Sequence, residues 1–274
     1  MIVFPPVKIN LGLYVTNKRN DGFHDLETVF YEIPLCDILE IHEKKNNRFI
    51  STGLKIPETN AENNLCVKAA NLFYEKYNIS EIEQAAIHLH KIIPMGAGLG
   101  GGSSDAVYTL KSLYAYYDID FNKKDMFEMS TKLGSDCAFF IDGGAAFASG
   151  RGEVLNKIEL DLSGYYIAIV KPNVHVSTAQ AFANISPKNP PKNWKDELLN
   201  TPLDNWKTFL KNDFEESIFP LFPEIKKVKE KLYDKGALLA LMSGSGASVF
   251  GVFKSVVDLS NTFSKEYFVW QKQL

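Results

Sequence analysis

A chain of 274 residues is long enough to bury a large core, as two modest domains or one big one. Its formal net charge of −3 leaves no surplus of basic side chains to neutralise a phosphodiester backbone, which excludes electrostatic binding of nucleic acid and points to a small-molecule partner. Cys36, Cys66 and Cys137 are odd in number, far apart and without a C-x-x-C pair, which argues against a disulfide framework or structural zinc and fits the reducing cytoplasm.

In chain order, the first residues carry neither a basic n-region nor a long apolar h-region, so no secretory signal is expected. Alternation predicts strands over residues 8–16, 26–34 and 38–42, followed by a helix through Leu65, Ala69, Leu72 and Phe73. Residues 86–93 alternate and are rich in β-branched side chains, a strand that Pro94 ends. Beyond a glycine run, Val107, Leu110, Tyr114 and Tyr117 recur at helical spacing, with Ser103 or Ser104 as N-cap. A second helix is expected over 123–133. Residues 165–170 open what reads as a second unit, and the domains are drawn at 1–157 and 158–274. The proline-rich stretch 186–193 predicts a surface loop or lid. Helices near 206–212 and 224–234 lead to an uncharged run from Gly236 to Phe253. That run has the length of a membrane span, but its central Ser-Gly-Ser-Gly breaks such a reading. It is expected to form two buried strands, or a helix end and a strand, over 238–242 and 247–253, and no membrane partner is expected.

The richest chemistry lies in the run Pro94, Met95, Gly96, Ala97, Gly98, Leu99, Gly100, Gly101, Gly102, Ser103 and Ser104. Glycine lets backbone N–H groups approach a ligand, and the helix that follows presents unpaired donors with a partial positive charge, so a polyphosphate fits. The plainer reading is a flexible connector, although connectors rarely sit tightly between a strand and an amphipathic helix. Gly96, Gly98 and Gly101 satisfy G-x-G-x-x-G, but a dinucleotide site also needs an acidic residue closing a second strand about twenty residues on. That distance falls at Asp118-Ile-Asp120, with no strand before it. The Lys-Ser/Thr of a Walker loop and the HRD and DFG elements of protein kinases are absent.

Other candidates carry two readings each. Lys8 and Asn10 share one strand face, a wet polar face in the plainer reading and a charge beside transferring phosphate in the other. Asp136 is either a helix cap or the base that takes a proton from an acceptor hydroxyl. Phe23 and His24 lie in a turn, Asp21-Gly-Phe-His-Asp25, where an aromatic ring and an imidazole suit a planar base. His88 and His90 share a strand face and, with no third ligand placed nearby, read as structural.

These pieces in this order resemble the GHMP kinases, named for galactokinase, homoserine, mevalonate and phosphomevalonate kinases. The match lies in the lysine strand at 6–11, the glycine run, the segments 21–24, 134–140 and 148–153, and the turn Ser243-Gly-Ser-Gly-Ala247. The resemblance implies an α+β (α/β two-layer) fold with an N-terminal ribosomal-protein-S5-domain-2-like domain and a C-terminal ferredoxin-like domain. It also implies an ATP-dependent kinase that uses Mg²⁺ and acts on the 2-hydroxyl of a cytidine-diphosphate methylerythritol. By the same resemblance Asp136 is the base and Lys8 its partner, Pro94 to Ser104 hold the ATP phosphates, and Asn64, Leu65 and Lys91 lie around the adenine. His24 reads the cytosine, Phe23 and Phe182 sandwich it, and Asn10, Thr178, Ser243 and Gly244 adjoin the substrate. Val7, Phe23 and Cys137-Ala138 depart from the common residues while keeping shape or apolar character. A mevalonate- or homoserine-type kinase and a nucleotide-binding regulator without turnover are the alternatives.

Overall fold

The computed structural model describes residues 1–43, 48–56, 61–183 and 185–274. In chain order its first elements are β1 (Ile2–Val3), β2 (Pro6–Lys18), β3 (His24–Cys36), β4 (Ile38–His42), β5 (Phe49–Gly53), α1 (Leu65–Tyr77), β6 (Ala86–Lys91) and α2 (Gly101–Tyr116). Then come α3 (Lys123–Leu133), α4 (Phe139–Asp142), β7 (Ala145–Ser149), β8 (Val154–Lys157), β9 (Tyr166–Lys171), α5 (Thr178–Ala183) and α6 (Trp194–Asn200). The last are α7 (Phe214–Ile218), α8 (Pro223–Asp234), β10 (Leu239–Met242), β11 (Val249–Phe253) and β12 (Phe268–Gln273). No described helix is long and apolar enough to cross a membrane. Two compact units share the chain: Met1–Val7, Leu35–Met95 and Gly100–Gly143 make one, and Lys8–Pro34, Gly96–Leu99 and Gly144–Leu274 the other.

The first unit holds a sheet of order β1-β4-β6-β5, in which β5 runs parallel to β6 and the other pairs are antiparallel. On β6, His88 and His90 each bond the Thr52 hydroxyl at 2.9 Å, a structural employment for both imidazoles. Helix α1 starts where the Asn64 carboxamide oxygen accepts the Cys66 N–H at 2.9 Å, so that one orphan donor of the first turn is satisfied. It buries Cys66, Val67, Ala69, Ala70, Phe73 and Tyr74, and the Phe73 ring meets Tyr114 of α2 edge-on at 5.1 Å. Helix α2 is capped by neither expected serine. Gly100 caps it at φ 71°, and Ser103 and Ser104 lie inside the first turn. Without a Cβ, glycine enters the left-handed region at no steric cost, and it outcompetes a side-chain cap here.

The second unit holds two sheets, β2-β3-β7-β8 and β10-β11-β9-β12. Strands β10 and β11 form an antiparallel hairpin, so the two-strand reading of the uncharged run is the one realised. Helix α8 opens on Pro223 and buries Ile225, Val228 and Leu232, one apolar stripe at helical spacing, in a core shared with Leu13, Val15, Val170 and Val249. The helix expected near 206–212 is instead a 3₁₀ turn at Leu203–Thr208. Residues beyond it are drawn to β2, where Leu13 N–H donates to Lys211 O at 2.8 Å and Asp213 N–H to Leu13 O at 2.9 Å. Pairing with a strand competes with continuing a helix, and the strand wins.

Candidate active site

The glycine run turns through positive φ at Gly96 (60°), Gly98 (74°) and Gly100 (71°). Between them the side chains of Ala97 and Leu99 point inward and are buried. Each of the four carbonyls from 96 to 99 is taken by a protein donor. Ala247 N–H donates to Gly96 O (3.1 Å), Ser248 N–H to Ala97 O (3.2 Å) and Lys8 N–H to Leu99 O (3.0 Å), while the Ser243 hydroxyl donates to Gly98 O (2.9 Å). The approach is so close that a Cβ on Gly98 would lie 1.9 Å from Ser243 O, and one on Gly244 would lie 2.9 Å from Gly98 O. Ser243 and Gly244 thus sit against the back of the loop. At its far end the first intrahelical bond of α2 is Ser104 N–H to Gly100 O (2.9 Å). By helix geometry the N–H groups of Gly101, Gly102 and Ser103 have no partner within the helix.

Lys8 lies on β2, whose first ten residues are buried on both faces. The polar face is therefore not wet: Lys8 is 3 % exposed and Asn10 1 %. The Lys8 ammonium donates to Asn10 Oδ1 at 2.9 Å and stands 4.5 Å over the Phe30 ring. Asn10 Nδ2 donates to the Thr28 hydroxyl at 2.9 Å, and that hydroxyl donates to Gly12 O at 2.5 Å. Such a relay orients each of its members, the ammonium among them.

In the first unit, Asp136 is half-buried in the turn 135–138, between α3 and α4. This turn lies against the start of α2. The Cys137 thiol, which burial pushes up to about 11, is hydrogen-bonded to Ser103, and a Cβ on Gly134 would lie 3.9 Å from the Ser103 hydroxyl. Leu65, next to the α1 cap Asn64, approaches the same helix end, 3.5 Å from a Cβ on Gly102. The Lys91 ammonium is 4 % exposed and lies between two carboxylates, Asp37 and, at 2.7 Å, Asp105. Asp37 also accepts the N–H groups of Ile92 (2.6 Å) and Ile93 (2.9 Å). Burial pushes the Asp105 carboxyl up, to about 7, against the pull of Lys91.

In the second unit the His24 imidazole stacks on Phe182 with centroids 4.7 Å apart and planes 20° from parallel. Burial, aided by the Lys18 charge, holds His24 below the usual histidine range. Phe23 is half exposed, and the Arg151 guanidinium covers one face of its ring at 3.9 Å. Thr178 is exposed at the start of α5, where Ser177 and Gln180 cap each other reciprocally at 2.9 and 3.2 Å. Thr28, Phe30, Asp37, Asp105, Arg151 and Asn212 went unnoticed in the sequence, because each acts through a partner distant along the chain. The only local trace of Asn212 is the polar break Lys211-Asn212-Asp213 between Leu210 and Phe214.

Residues 64–144 match the GHMP kinases N terminal domain, and residues 195–265 the GHMP kinases C terminal region. The 4-diphosphocytidyl-2-C-methyl-D-erythritol kinase of Azobacteroides pseudotrichonymphae genomovar. CFP2 is 46% identical over 264 residues, 96% of this chain and 97% of that protein. This chain belongs to the GHMP kinases. Another GHMP kinase with the same name, from Bacteroides thetaiotaomicron, is 47% identical over 266 residues, 96% of this chain and 95% of that one. A crystal structure of 4-(cytidine 5'-diphospho)-2C-methyl-D-erythritol kinase superposes with a TM-score of 0.76 at 33% identity, covering 92% of this chain and 90% of that one. The α+β GHMP kinase fold expected from the motifs is the fold found.

Proposed function

We propose that this GHMP kinase transfers the γ-phosphoryl group of ATP to the 2-hydroxyl of 4-diphosphocytidyl-2-C-methyl-D-erythritol, giving the 2-phosphate and ADP on the non-mevalonate route to isoprenoid precursors. The observation that carries the reading is the commitment of four consecutive loop carbonyls to protein donors. An anion is repelled by carbonyl oxygens and attracted by N–H groups, and a loop whose carbonyls from 96 to 99 are turned to protein donors keeps those four acceptors from a phosphate and is followed by the positive end of a 16-residue helix. The acceptor is supported by curated relatives of that name that span nearly the whole chain. A stacked His24 and Phe182 with an exposed Phe23 nearby in sequence suit a nucleobase.

Phosphoryl transfer asks the protein chiefly for positioning and charge stabilisation. Asp136 takes the proton of the acceptor hydroxyl while its oxygen bonds to the γ-phosphorus. The bond from that phosphorus to the bridging oxygen breaks, and its electron pair leaves with ADP. Base catalysis of this kind is worth about 100- to 10,000-fold in rate. Lys8 offsets charge developing on the transferred group; held by Asn10 at 2.9 Å and almost out of water, its field is little screened. His24, neutral at pH 7, offers its ring nitrogens to the edge of the cytosine. Hydroxyls in the first turn of α2 are hard oxygen donors of the kind Mg²⁺ takes, and Ser104 Oγ is buried without a partner among the described residues, so the residues fit the ion. Ser103 and Ser104 would hold it together with phosphate oxygens, where it supplies neutralisation of the triphosphate charge.

A coupled ADP-release assay with three acceptors tests the proposal. ADP should appear rapidly with the cytidylyl substrate and at background rates with mevalonate and homoserine. Faster release with either of the latter replaces the acceptor. ATP binding with no ADP from any acceptor makes the chain a nucleotide binder without turnover.

A further inference from the structure

Three buried polar residues of one short segment, Asn212, Asp213 and Glu215, have no part in the transfer. Asn212 is 2 % exposed and uses its whole carboxamide. Its Nδ2 donates to Met242 O (2.6 Å) and Gly244 O (2.8 Å), and its Oδ1 accepts the Phe214 N–H (3.0 Å). Glu215, paired with Lys229, accepts the Met242 N–H at 2.9 Å. Asp213 accepts the Val15 N–H of β2 at 2.8 Å. One short segment therefore ties the strand that carries Lys8 to the turn that carries Ser243.

The two carbonyls that Asn212 holds flank Ser243 on either side, so a single amide sets the direction in which the Ser243 hydroxyl leaves the turn. That hydroxyl ends on Gly98 O. We propose that Asn212 is a positioning residue for the nucleotide: it keeps Ser243 on the Gly98 carbonyl and so prevents that acceptor from rotating toward the phosphates. The inference rests on reading the glycine loop as the ATP cradle. A released carbonyl would meet the triphosphate as like charge meets like, and the cost falls on ATP alone.

The test is a double-mutant cycle read by calorimetric titration of ATP and of cytidine 5′-diphosphate. Asn212→Asp keeps the volume and the Oδ1 acceptor but sets an acceptor against two carbonyls, while Ser243→Ala removes only the last bond. ATP should bind at least 10-fold more weakly to Asn212→Asp and about 3-fold more weakly to Ser243→Ala. The double variant should lose less than the product of the two, because both act on one contact. Steady-state kinetics of Asn212→Asp should show a raised KM for ATP, with KM for the cytidylyl substrate within twofold. ATP affinity unchanged in both single variants, or losses that multiply in the double variant, overturns the proposal. Should Asn212→Asp not fold, Ser243→Ala decides alone, since unchanged ATP affinity there breaks the relay at its final step. A wild-type chain that binds ATP but turns over no acceptor would remove the function proposed above and leave this inference standing; one that binds no ATP removes both.

Discussion

Gly98→Ala would place a methyl group 1.9 Å from the carbonyl oxygen of Ser243, at a residue whose φ of +74° already disfavours a side chain. The left-handed backbone costs about 1–2 kcal/mol for a residue with a Cβ. The overlapping atom is backbone, so no rotamer change relieves it, and reaching an ordinary contact of 3.4 Å takes roughly 1.5 Å of movement in the loop or the turn. That movement breaks the bond from Ser243 to Gly98 O, for about 1 kcal/mol more. A total of about 2–3 kcal/mol lowers Tm by about 4–10 °C in a chain of this size. Displacing a phosphate cradle by more than 1 Å lowers kcat/KM for ATP by about 100-fold. Thermal unfolding by calorimetry and initial rates at varied ATP read both quantities. Gly164→Ala is the control: φ there is +87°, nothing lies within 4 Å of its Cβ, and it should show the backbone cost with normal ATP kinetics. Near wild-type ATP kinetics in Gly98→Ala would refute the packing of turn on loop.

Asp136→Asn or Lys8→Ala should abolish most turnover while ATP affinity, measured by titration, stays within a few-fold; a near-normal kcat in either variant removes that residue from the transfer. His24→Ala or Phe182→Ala should weaken the cytidylyl substrate by roughly 1–3 kcal/mol per lost stack, read as KM for that substrate at saturating ATP, and an unchanged KM speaks against base stacking there. Asp105 titrates higher in the folded chain than in the unfolded one, so the folded state holds its proton more tightly. Its contribution to stability is complete below the unfolded value near 4 and disappears as pH rises through about 7. Urea midpoints between pH 4 and 8 should therefore fall more steeply with pH for the wild type than for Asp105→Asn, and parallel curves contradict a carboxyl raised by burial.

Elements whose signals are local are legible in the sequence to within about two residues, and two of them to the residue. The alternation over 38–42 is β4, and the periodic stretch 123–133 is α3, begun by Asn122, whose side chain accepts two N–H groups of the first turn. What depends on distant contacts is not. Alternation in β2 separates Lys8 and Asn10 from their apolar neighbours but is silent on what covers each face, and the cover includes Thr28, 18 residues on. Asp37, 54 residues from Lys91, takes that ammonium out of water, which no spacing rule discloses. The cap of α2 misled for a different reason: serine is the better cap by side chain, but the chain must first leave the loop through a positive φ, and only Gly100 does so without strain.

The shape of the glycine motif is not stored in the glycines. Its carbonyls are held largely by a hairpin turn that begins 145 residues later, so the motif is flexible as it leaves the ribosome and acquires its form once the end of the chain has folded back on it. The rigidity that lets a phosphate bind without first ordering the loop is thus installed during folding, and whatever loosens the hairpin erases it while every residue of the motif remains in place.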